Sequence, residues 1–234
     1  MTTIITGGTS GIGLATAKIF LANDYNCVLV GRSRERFDKI KSELGGSFEF
    51  ISADVRKVSD CDKIISRTVK EFGGVDVLIN CAGIYHEGAI TLTDEETFDD
   101  IFATNVKGIF FMSRAAVSEL IKSRGVIINV ASDAGLKGNY FCAAYSASKG
   151  AVVAFTRSLA LELASFPVRV NCVAPGDILT PMTQSQSSTI EELAKVYPLG
   201  RIGTAEEVAE AIYFLTNASF ITGTILSVDG GLTA

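Results

Sequence analysis

Short apolar segments alternate with longer amphipathic segments along the whole chain, and this alternation constrains the fold more than any other feature. Each apolar segment has the length of a strand and precedes a stretch with helical periodicity, a pattern typical of βαβ units. The sequence therefore predicts an α/β protein, with one doubly wound parallel sheet of about seven strands and helices on both faces. We expect residues 1–234 to form a single domain. The predicted strands are residues 2–6, 26–31, 47–53, 75–79, 125–131, 168–174 and 224–229.

The composition limits the partners of this chain. Its formal net charge is -5 at pH 7, and no cluster of Lys or Arg provides a surface for nucleic acid or for an anionic membrane. Mean hydropathy is +0.33, yet no stretch has the roughly 18 uninterrupted apolar residues of a spanning helix. A strand at residue 2 leaves no room for a signal peptide, which predicts a cytoplasmic protein. Small molecules and copies of the same chain are the partners that we expect.

The cysteines and the one histidine give no pattern typical of a metal site or of a disulfide framework. Five cysteines are an odd number, and they are scattered without a Cys-x-x-Cys pair. Cys27 and Cys172 are predicted core thiols, and Cys142 precedes Tyr145 by one helical turn, where it could line a pocket. His86 lies in a predicted loop with no nucleophile elbow nearby, so we expect a solvated residue or a pocket rim.

A glycine-rich loop follows the first strand and precedes a predicted helix at residues 14–22. Glycines allow a sharp turn and a close backbone approach to a pyrophosphate, and the start of the helix favours negative charge. The spacing differs from Gly-x-Gly-x-x-Gly, but strand, loop and helix together predict a Rossmann-type dinucleotide site. The predicted contacts from this loop are Gly7, Thr9, Ser10, Gly11, Ile12 and Gly13.

The end of the second strand predicts which dinucleotide binds. An acidic residue there would accept hydrogen bonds from a ribose 2′-hydroxyl, whereas Arg32 and Ser33 offer a cation and a hydroxyl to a 2′-phosphate. NADP(H) is therefore the preferred cofactor, with NAD(H) possible. The alternative is that Arg32 and Arg34 only solvate the start of a helix that ends near Leu44, although basic charge opposes the helix dipole there.

Other predicted strands end in small or polar residues at the same edge of the sheet. The third strand leads to Asp54 and Val55, the fourth to the segment 80–83, and the sixth to the segment 175–181. Capping-box spacings start the next helices at Ser59 and at Thr93, and the second of these reaches about residue 122. Inside it, an asparagine lies among apolar neighbours, which predicts a bend or a hydrogen-bonding role for Asn105.

The segment 132–149 has the chemistry of an acid–base site. Tyr145 and Lys149 are four residues apart and share one helical face, so the ammonium would lower the phenol pKa from its usual value near ~10. The strand before this segment delivers Ser132 to the sheet edge. The helix continues to about Leu163 with apolar residues on more than one face, which predicts deep burial or a subunit contact. Residues 182–200 resemble a mobile lid, and Thr204 caps the helix that follows.

Together these motifs resemble the short-chain dehydrogenase/reductase family over nearly the whole chain. The family pattern Thr-Gly-x-x-x-Gly-x-Gly is present at residues 6–13, and Cys81 stands where the family's Asn-Ala-Gly element commonly has another Asn. The helix Asn, the strand-end Ser and the Tyr-x-x-x-Lys pair are all present. The four catalytic residues implied by the resemblance are Asn105, Ser132, Tyr145 and Lys149.

The resemblance implies a mechanism and further cofactor contacts. A ketone would accept hydrogen bonds from Ser132 and Tyr145 while a hydride crosses from the nicotinamide, and Tyr145 would supply the proton. Lys149 would lower the Tyr145 pKa and hold the nicotinamide ribose, and Asn105 would position a water that relays protons. The remaining cofactor contacts implied are Arg32, Ser33, Asp54, Val55, Asn80, Ala82, Gly83, Tyr145, Lys149, Pro175, Gly176, Ile178 and Thr180.

Within the family the chain is most similar to 3-oxoacyl carrier-protein reductases and related small ketoreductases. Many members are dimers or tetramers, and we expect a homo-oligomer that pairs the helices with Asn105 and Tyr145. A basic residue that often docks the acyl carrier protein is replaced by Phe166, although Arg124 and Arg169 remain as basic candidates nearby. Carrier-protein binding is thereby weakened, and an alcohol, sugar or steroid-like substrate stays open.

Two rival functions remain at this stage. An NAD-dependent alcohol or polyol dehydrogenase would be favoured by an acid at Gly31 or Arg32, and neither position has one. A module that only senses dinucleotides would not need the complete set of four catalytic residues.

Overall fold

The computed structural model describes residues 1–184 and 188–234, and its centre is a parallel sheet of seven strands. Two further strands of two residues each form a small separate parallel sheet. In chain order the strands are β1 Thr2–Thr6, β2 Asn26–Gly31, β3 Phe48–Ser52, β4 Val77–Asn80, β5 Val126–Val130, β6 Arg169–Pro175, β7 Ile178–Leu179, β8 Gly203–Thr204 and β9 Ile225–Val228.

Helices connect these strands and cover both faces of the sheet. They are α1 Gly11–Ala22, α2 Arg34–Ile40, α3 Val58–Phe72, α4 Glu95–Phe102, α5 Ile109–Ser123, α6 Ala134–Lys137, α7 Ala143–Leu163, α8 Pro181–Gln184, α9 Ile190–Ala194 and α10 Ala205–Asn217. A π-helix at Ala103–Gly108 joins α4 to α5, and short 3₁₀ turns occur at Lys41–Glu43 and Ile90–Leu92.

The strand order of the large sheet is β3-β2-β1-β4-β5-β6-β9, with every pair parallel. Chain order reverses direction between β1 and β4, which lie side by side at the centre. Open parallel sheets bind ligands outside the carboxyl ends of their strands at such a reversal. The predicted doubly wound Rossmann-type sheet is confirmed, and its topology places the glycine loop beside the residues that follow β4.

Alternate strand residues belong to opposite hydrophobic layers, because successive side chains of a strand point to opposite faces. Ile5, Leu29, Ile79 and Ile128 pack in the layer that includes α1 and α10. Their neighbours one residue earlier pack in the layer that includes α3, α5 and α7. Each fully buried Leu or Ile contributes roughly 1.5–3 kcal/mol of hydrophobic stabilisation. The sheet is therefore a rigid platform for the loops at its carboxyl edge.

Two predicted helix starts differ in the structure. The capping box at Ser59 is wrong, because α3 begins at Val58 and has Lys57 in the capping position without a side-chain hydrogen bond. The carboxylate of Asp60 instead accepts a 2.8 Å hydrogen bond from the backbone N–H of Asp54. This contact holds the loop after β3 against the first turn of α3.

The helix predicted at residues 93–122 is interrupted and starts one residue later. Its capping residue is Asp94, which accepts a 2.9 Å hydrogen bond from the N–H of Thr97. The π-helix then breaks the regular ladder around Asn105, and π-helical turns are frequent at functional sites. The prediction of a bend or a hydrogen-bonding role at Asn105 is confirmed.

Other boundaries shift by up to four residues, the largest shift being at α2, which ends at Ile40 and is followed by a 3₁₀ turn. Helix α1 begins at Gly11 rather than at residue 14, so the glycine loop supplies its first turn. The capping box at Thr204 is confirmed, since its hydroxyl accepts from the N–H of Glu207 and the Glu207 carboxylate accepts from the N–H of Thr204. No sequence pattern marks β7 and β8, because strands of two residues are too short to show periodicity.

Candidate active site

The glycine loop forms a tight turn whose backbone faces the carboxyl edge of the sheet. Gly7 has a φ of 69° and Gly11 a φ of 49°, in the left-handed region that glycine adopts without strain. A Cβ on Gly13 would lie 2.3 Å from the carbonyl oxygen of Gly7, so only glycine permits this approach of helix to loop. The first turn of α1 has no acidic residue and no side-chain cap at Ser10, which leaves its N–H groups suited to an anion.

A threonine at the end of β1 joins this loop to the end of β4. The hydroxyl of Thr6 accepts hydrogen bonds from the N–H groups of Cys81 and Ala82, each at 3.1 Å. A Cβ on Gly7 would lie 3.0 Å from Ala82, so the two loops are in close contact. The two segments that the sequence predicts as cofactor contacts therefore form one surface.

Arg32 lines the same cavity, but its predicted partner Ser33 does not. The hydroxyl of Ser33 accepts a hydrogen bond of 3.2 Å from the N–H of Arg36 and caps α2. The side chain of Arg36 lines the cavity beside Arg32 instead. Arg34 packs over aromatic rings, with its guanidinium carbon 4.9 Å from the ring centroid of Phe50. Two exposed guanidinium groups thus border this end of the cavity.

Asp54 and Val55 line the cavity at the end of β3. The carboxylate of Asp54 accepts hydrogen bonds from Arg56, the shortest of them 2.8 Å, and Arg56 also contacts Asp100 at 2.9 Å. The hydrogen bonds from Arg56 lower the pKa of Asp54 below its ordinary value. Asp54 is therefore a fixed carboxylate at the cavity wall.

Asn80 is placed beneath the cavity rather than at its surface. Its amide nitrogen donates to the hydroxyl of Ser113 at 3.1 Å and to the side-chain oxygen of Asn129 at 2.9 Å. Asn129 in turn donates to Thr156 at 2.9 Å, so a buried polar network joins β4 and β5 to α5 and α7. The structure does not bring Asn80 to the cofactor cavity, and its contribution is to hold the strand end that precedes Cys81.

Asn105 is fully buried and holds the backbone of Ile84. Its oxygen accepts a 2.9 Å hydrogen bond from the Ile84 N–H, and its nitrogen donates to the Ile84 carbonyl at 2.9 Å and to Ser148 at 3.1 Å. A Cβ on Gly83 would lie 3.3 Å from the Asn105 oxygen and 3.4 Å from the Lys149 nitrogen. The π-helix thus places Asn105 near Lys149, with the backbone of Gly83 and Ile84 held beside both side chains.

Lys149 and Tyr145 are both buried in α7 and line a second cavity. The Lys149 ammonium donates a 2.9 Å hydrogen bond to the carbonyl of Val130 and lies 5.7 Å from the centroid of the Tyr145 ring. Burial lowers the pKa of Lys149 and raises that of Tyr145 above 10.0. The predicted net lowering of the Tyr145 pKa is wrong for the protein by itself, because burial of the phenol is the largest influence and raises its pKa.

Ser132 lies at the end of β5 beside Tyr145. Its hydroxyl oxygen is 2.9 Å from a carboxylate oxygen of Asp133 and accepts a 3.2 Å hydrogen bond from the N–H of Ala134. A hydrogen bond from Ser132 opposes the effect of burial on the Tyr145 pKa. Burial raises the pKa of Asp133, which the Ser132 hydroxyl partly offsets. Ser132 and Tyr145 therefore present two hydroxyl groups to one point in the cavity.

The turn after β6 closes the cavity from the opposite side. Pro175, Gly176 and Ile178 line the cavity with Lys149 and Tyr145, while Thr180 lines both cavities. The methyl carbon of Thr180 is 3.1 Å from the position of a Cβ on Gly11, so this turn touches the glycine loop.

The two cavities are continuous. They share lining residues from the glycine loop, the end of β4 and the start of α8, namely Ile12, Cys81, Gly83, Ile84, Thr180 and Met182. All four predicted catalytic residues lie in or directly behind the second cavity. Most predicted cofactor residues line one cavity or the other; Gly13, Ser33 and Asn80 instead have the structural roles given above.

Several cavity residues were missed by the sequence analysis. Arg36 lies four residues after Arg32, and this helical spacing was a usable signal. Tyr85 and Cys142 share a hydrogen bond of 3.3 Å at the cavity wall, so Cys142 has the pocket position that the sequence analysis gave as the alternative to a structural role. Asp177 lines the cavity, and no periodicity marks it.

His86 is neither solvated at its ring nitrogen nor part of these cavities. Its Nε2 atom is buried without a hydrogen-bond partner in the described part of the chain. A Cβ on Gly88 would lie 2.8 Å from that nitrogen, so the ring packs on the backbone of its own loop. His86 as a whole is partly exposed in the loop between Tyr85 and Glu87, which both line the second cavity, so its predicted place at a solvated loop or pocket rim stays a prediction.

One of the two basic candidates for carrier-protein docking has a structural role. Arg169 donates to the carbonyl oxygens of Leu215 and Thr216 at the end of α10, and burial lowers its pKa. Arg124 ends α5 in a left-handed conformation and is exposed, and Phe166 is 47% exposed. The predicted lid at 182–200 contains α8 and α9, and its residues 185–187 lie outside the described residues.

Comparison with known proteins gives matches along the whole chain. A family model described as short chain dehydrogenase matches residues 1–191. A 3-oxoacyl-[acyl-carrier-protein] reductase of Bos taurus is 41% identical over 227 residues, which cover 97% of this chain and 95% of that protein. A reductase of the same name from Thermotoga maritima is 39% identical over 236 residues, 98% of this chain and 96% of the relative.

Solved structures agree with this result. The crystal structure of a 3-ketoacyl-(acyl-carrier-protein) reductase from Brucella melitensis, complexed with NADH, has a TM-score of 0.95 and 34% identity; it covers 100% of this chain and 98% of its own. A structure of ElxO with NADP bound has a TM-score of 0.92 and 35% identity, and covers 99% and 98%. Within residues 1–184 and 188–234, no helix combines the length and apolar character needed to span a bilayer.

Proposed function

The chain belongs to the short chain dehydrogenase family and is an NAD(P)-dependent oxidoreductase, and we propose that it reduces a ketone with NADPH through Tyr145. The observation that carries this proposal is the single continuous cavity, with the glycine loop at one end and Ser132, Tyr145 and Lys149 at the other. The open start of α1 and the space next to Gly83 suit a dinucleotide that extends from one end to the other.

The residues of the second cavity suit proton transfer to a carbonyl oxygen. A nicotinamide, when bound, supplies the hydride that the carbonyl carbon accepts. Tyr145 donates a hydrogen bond to the carbonyl oxygen, and Ser132 donates a second when its hydroxyl hydrogen turns from Asp133 to the substrate. Both stabilise the negative charge that develops there. Tyr145 then gives its phenolic proton to that oxygen, and its raised pKa keeps the proton in place at neutral pH. Alcohol oxidation uses the same groups in reverse.

Lys149 and Asn105 support this transfer from behind. The Lys149 ammonium lies 5.7 Å from the centroid of the Tyr145 ring, so its positive charge stabilises the negative charge that the phenol acquires when it gives up its proton. Asn105 holds Ile84 and, with Gly83, borders the space in front of the ammonium. We propose that a water relay reaches Lys149 through this space.

The preference for NADPH is supported by charge. Arg32 and Arg36 border the cavity at the end of β2, and neither Gly31 nor a neighbour up to Ser33 provides a carboxylate. Guanidinium groups form charge-assisted hydrogen bonds with phosphate oxygens, and these are stronger than neutral ones. NADH remains a usable cofactor in this proposal, since the ribose and nicotinamide contacts are common to both.

A 3-oxoacyl thioester is the substrate that the relatives indicate, and carrier-protein delivery is part of the proposal through the exposed Arg124. A homo-oligomer is supported by apolar side chains exposed on α4, α5 and α7, which include Phe98, Phe110 and Leu161. A cytoplasmic location completes the proposal.

Parallel fluorescence titrations with NADPH and NADH test the cofactor assignment. We expect tighter binding of NADPH, and loss of this preference in Arg32→Asp, since the new carboxylate repels the 2′-phosphate. Arg34→Asp is a matched control, because Arg34 packs over Phe50 outside the cavity. Preference for NADH would instead indicate an alcohol or polyol dehydrogenase, and binding of neither would indicate loss of the cofactor site.

Turnover of β-ketoesters and acyl thioesters by Tyr145→Phe tests the acid. The variant keeps the ring and loses the proton, so NADPH should still bind while turnover falls by several orders of magnitude. Turnover close to that of the natural protein would overturn the assignment of Tyr145. A sensing module without chemistry would show dinucleotide binding and no turnover in the natural protein.

A further inference from the structure

The cavity that holds the reacting hydroxyl groups is acidic. Within the described part of the chain, its ionisable lining includes three carboxyl groups and one lysine: Glu87, Asp133, Asp177 and Lys149. The lysine ammonium already donates to the carbonyl of Val130. A substrate anion close to the reacting carbonyl would therefore meet net negative charge, whereas a hydrogen-bond donor would meet acceptors.

The three carboxyl groups differ in their freedom to bind a substrate. Asp133 is 4% exposed and is already bonded to the hydroxyl of Ser132. Glu87 is exposed to solvent, where water competes for its hydrogen bonds. Asp177 is half-buried on the turn between β6 and β7, on the wall of the cavity. Only Asp177 combines partial burial with a position inside the cavity and no bond to a catalytic residue.

A buried tyrosine fixes the position of Asp177. The hydroxyl of Tyr197 accepts a 2.6 Å hydrogen bond from the backbone N–H of Asp177 and donates a 2.8 Å hydrogen bond to its Oδ2 atom. Tyr197 is 5% exposed, and its ring lies 2.7 Å from the position of a Cβ on Gly176, so it cannot move away without opening the turn. One carboxylate oxygen is thereby oriented, and Oδ1 accepts no hydrogen bond from the described residues.

The charge of Asp177 acts at the reacting centre. Burial is the main cause of the raised pKa of Tyr145, and the carboxylates of Asp133 and Asp177 raise it further. Asp177 and Tyr145 line the same cavity. Asp177 is therefore placed to contact a group attached near the carbonyl that Tyr145 protonates.

From these contacts we propose that Asp177, held by Tyr197, is a specificity-determining residue of the proposed ketone reduction. It selects ketones that carry a hydrogen-bond donor, a hydroxyl or an ammonium group, a few bonds from the carbonyl, and it disfavours those with a carboxylate there. This inference rests on the proposed ketone reduction, and within it favours a ketone with such a donor over the 3-oxoacyl thioester that the relatives indicate. A carboxylate accepts hydrogen bonds and donates none, so the discrimination has a fixed direction.

The test uses the full-length protein with NADPH and ketones of one carbon skeleton. Their far ends are a methyl, a hydroxyl, a dimethylammonium or a carboxylate group, and kcat/KM is measured for each. We expect kcat/KM for the hydroxyl and ammonium ketones to exceed that for the methyl ketone by about tenfold or more, since a hydrogen bond to a charged group strengthens binding by about that factor. The keto acid should be the poorest substrate.

Three variants assign any preference to its cause. Asp177→Asn keeps the shape of the side chain and removes its charge. The kcat/KM ratio of the ammonium ketone to the methyl ketone should therefore fall about tenfold, and kcat/KM for the keto acid should increase. Tyr197→Phe removes both hydrogen bonds and should lower the preference in the same direction, even if the first variant folds poorly. Glu87→Gln is the matched control, because it removes a carboxylate from the exposed rim of the cavity. It should change the same kcat/KM ratio by less than about threefold, since water competes for hydrogen bonds there.

The outcomes separate this inference from the proposed function. Ketone turnover without a preference for donors, or with a preference that Asp177→Asn and Tyr197→Phe leave unchanged, would overturn the role of Asp177 alone. No turnover of any ketone would overturn the proposed function and this inference with it.

Discussion

Replacement of Asn105 by alanine tests the link between the π-helix and the active site. The side chain is fully buried and forms three hydrogen bonds, two with the backbone of Ile84 and one with Ser148. Each buried partner left unsatisfied costs about 1–3 kcal/mol. Ile84 is only partly buried, so water can satisfy some of the lost bonds. We therefore expect the free energy of unfolding to fall by about 2–4 kcal/mol.

The size of this effect is judged against an exposed asparagine. Asn23 donates one 2.9 Å hydrogen bond to the carbonyl of Ile19 at the end of α1, where water can replace it. Asn23→Ala should cost about 0.5 kcal/mol or less. Urea unfolding followed by circular dichroism gives both values by linear extrapolation. A decrease of less than about 1 kcal/mol in the free energy of unfolding for Asn105→Ala would refute the conclusion that the buried hydrogen bonds of Asn105 hold the Ile84 backbone.

The same variant has a kinetic consequence. Ile84 lines both cavities, so the loss of its anchor should change the distance between the ends of the site. We expect kcat for ketone reduction to fall more than tenfold, because a displacement of about 1 Å in a catalytic site has effects of this order or larger. Normal kcat in a destabilised variant would limit Asn105 to a structural role.

Three further predictions concern the loop, the phenol and the capping box of α10. Gly13→Ala would place a Cβ 2.3 Å from a backbone oxygen of the glycine loop, so NADPH binding by fluorescence should be lost, whereas Gly45→Ala, with nothing within 4 Å, should bind normally. Burial raises the Tyr145 pKa above 10.0, so the rate of ketone reduction should stay constant through neutral pH, and the rate of alcohol oxidation should increase as alkali forms the phenolate. A change of slope near pH 7 in the pH–rate profile that Tyr145→Phe removes would contradict this. Hydrogen bonds from Arg201 lower the pKa of Glu207 from 4.5 to about 2, so its stabilisation is complete above pH 4.5 and is lost as pH falls through about 2. The Tm advantage over Glu207→Gln should disappear across that range, and a constant difference would contradict the ion pair.

The sequence analysis located the main elements of the site for a local reason. Strands of a parallel sheet are buried on both faces and appear as continuous apolar runs, and the residues after each run lie at one edge of the sheet. The sequence pattern therefore places the glycine loop, Ser132 and the segment after residue 174 at one edge. The Tyr145 and Lys149 pair was equally accessible, because four residues along a helix give one face.

Residues with two possible uses were where sequence reasoning failed. Ser33 could bind a phosphate or cap a helix, and it caps α2 while Arg36 takes the cavity position. Asn80 could face a cofactor or a neighbouring strand, and it bonds with Asn129. A side chain's identity gives its hydrogen-bonding capacity, whereas its partner depends on the packing of elements distant in the chain.

The sequence by itself determined the alternation of strands and helices and the class of cofactor loop, because each depends on spacing within a short segment. The four proposed catalytic residues came from the resemblance of several separate motifs to one family. The tertiary structure decided the electrostatics of the site: burial raises the Tyr145 pKa against the expected effect of Lys149. It also decided the contact between Asp177 and Tyr197, which are twenty residues apart and lie in irregular backbone and short turns. Solvent exclusion and long-range contacts arise only when the whole chain packs, so no local pattern contains them.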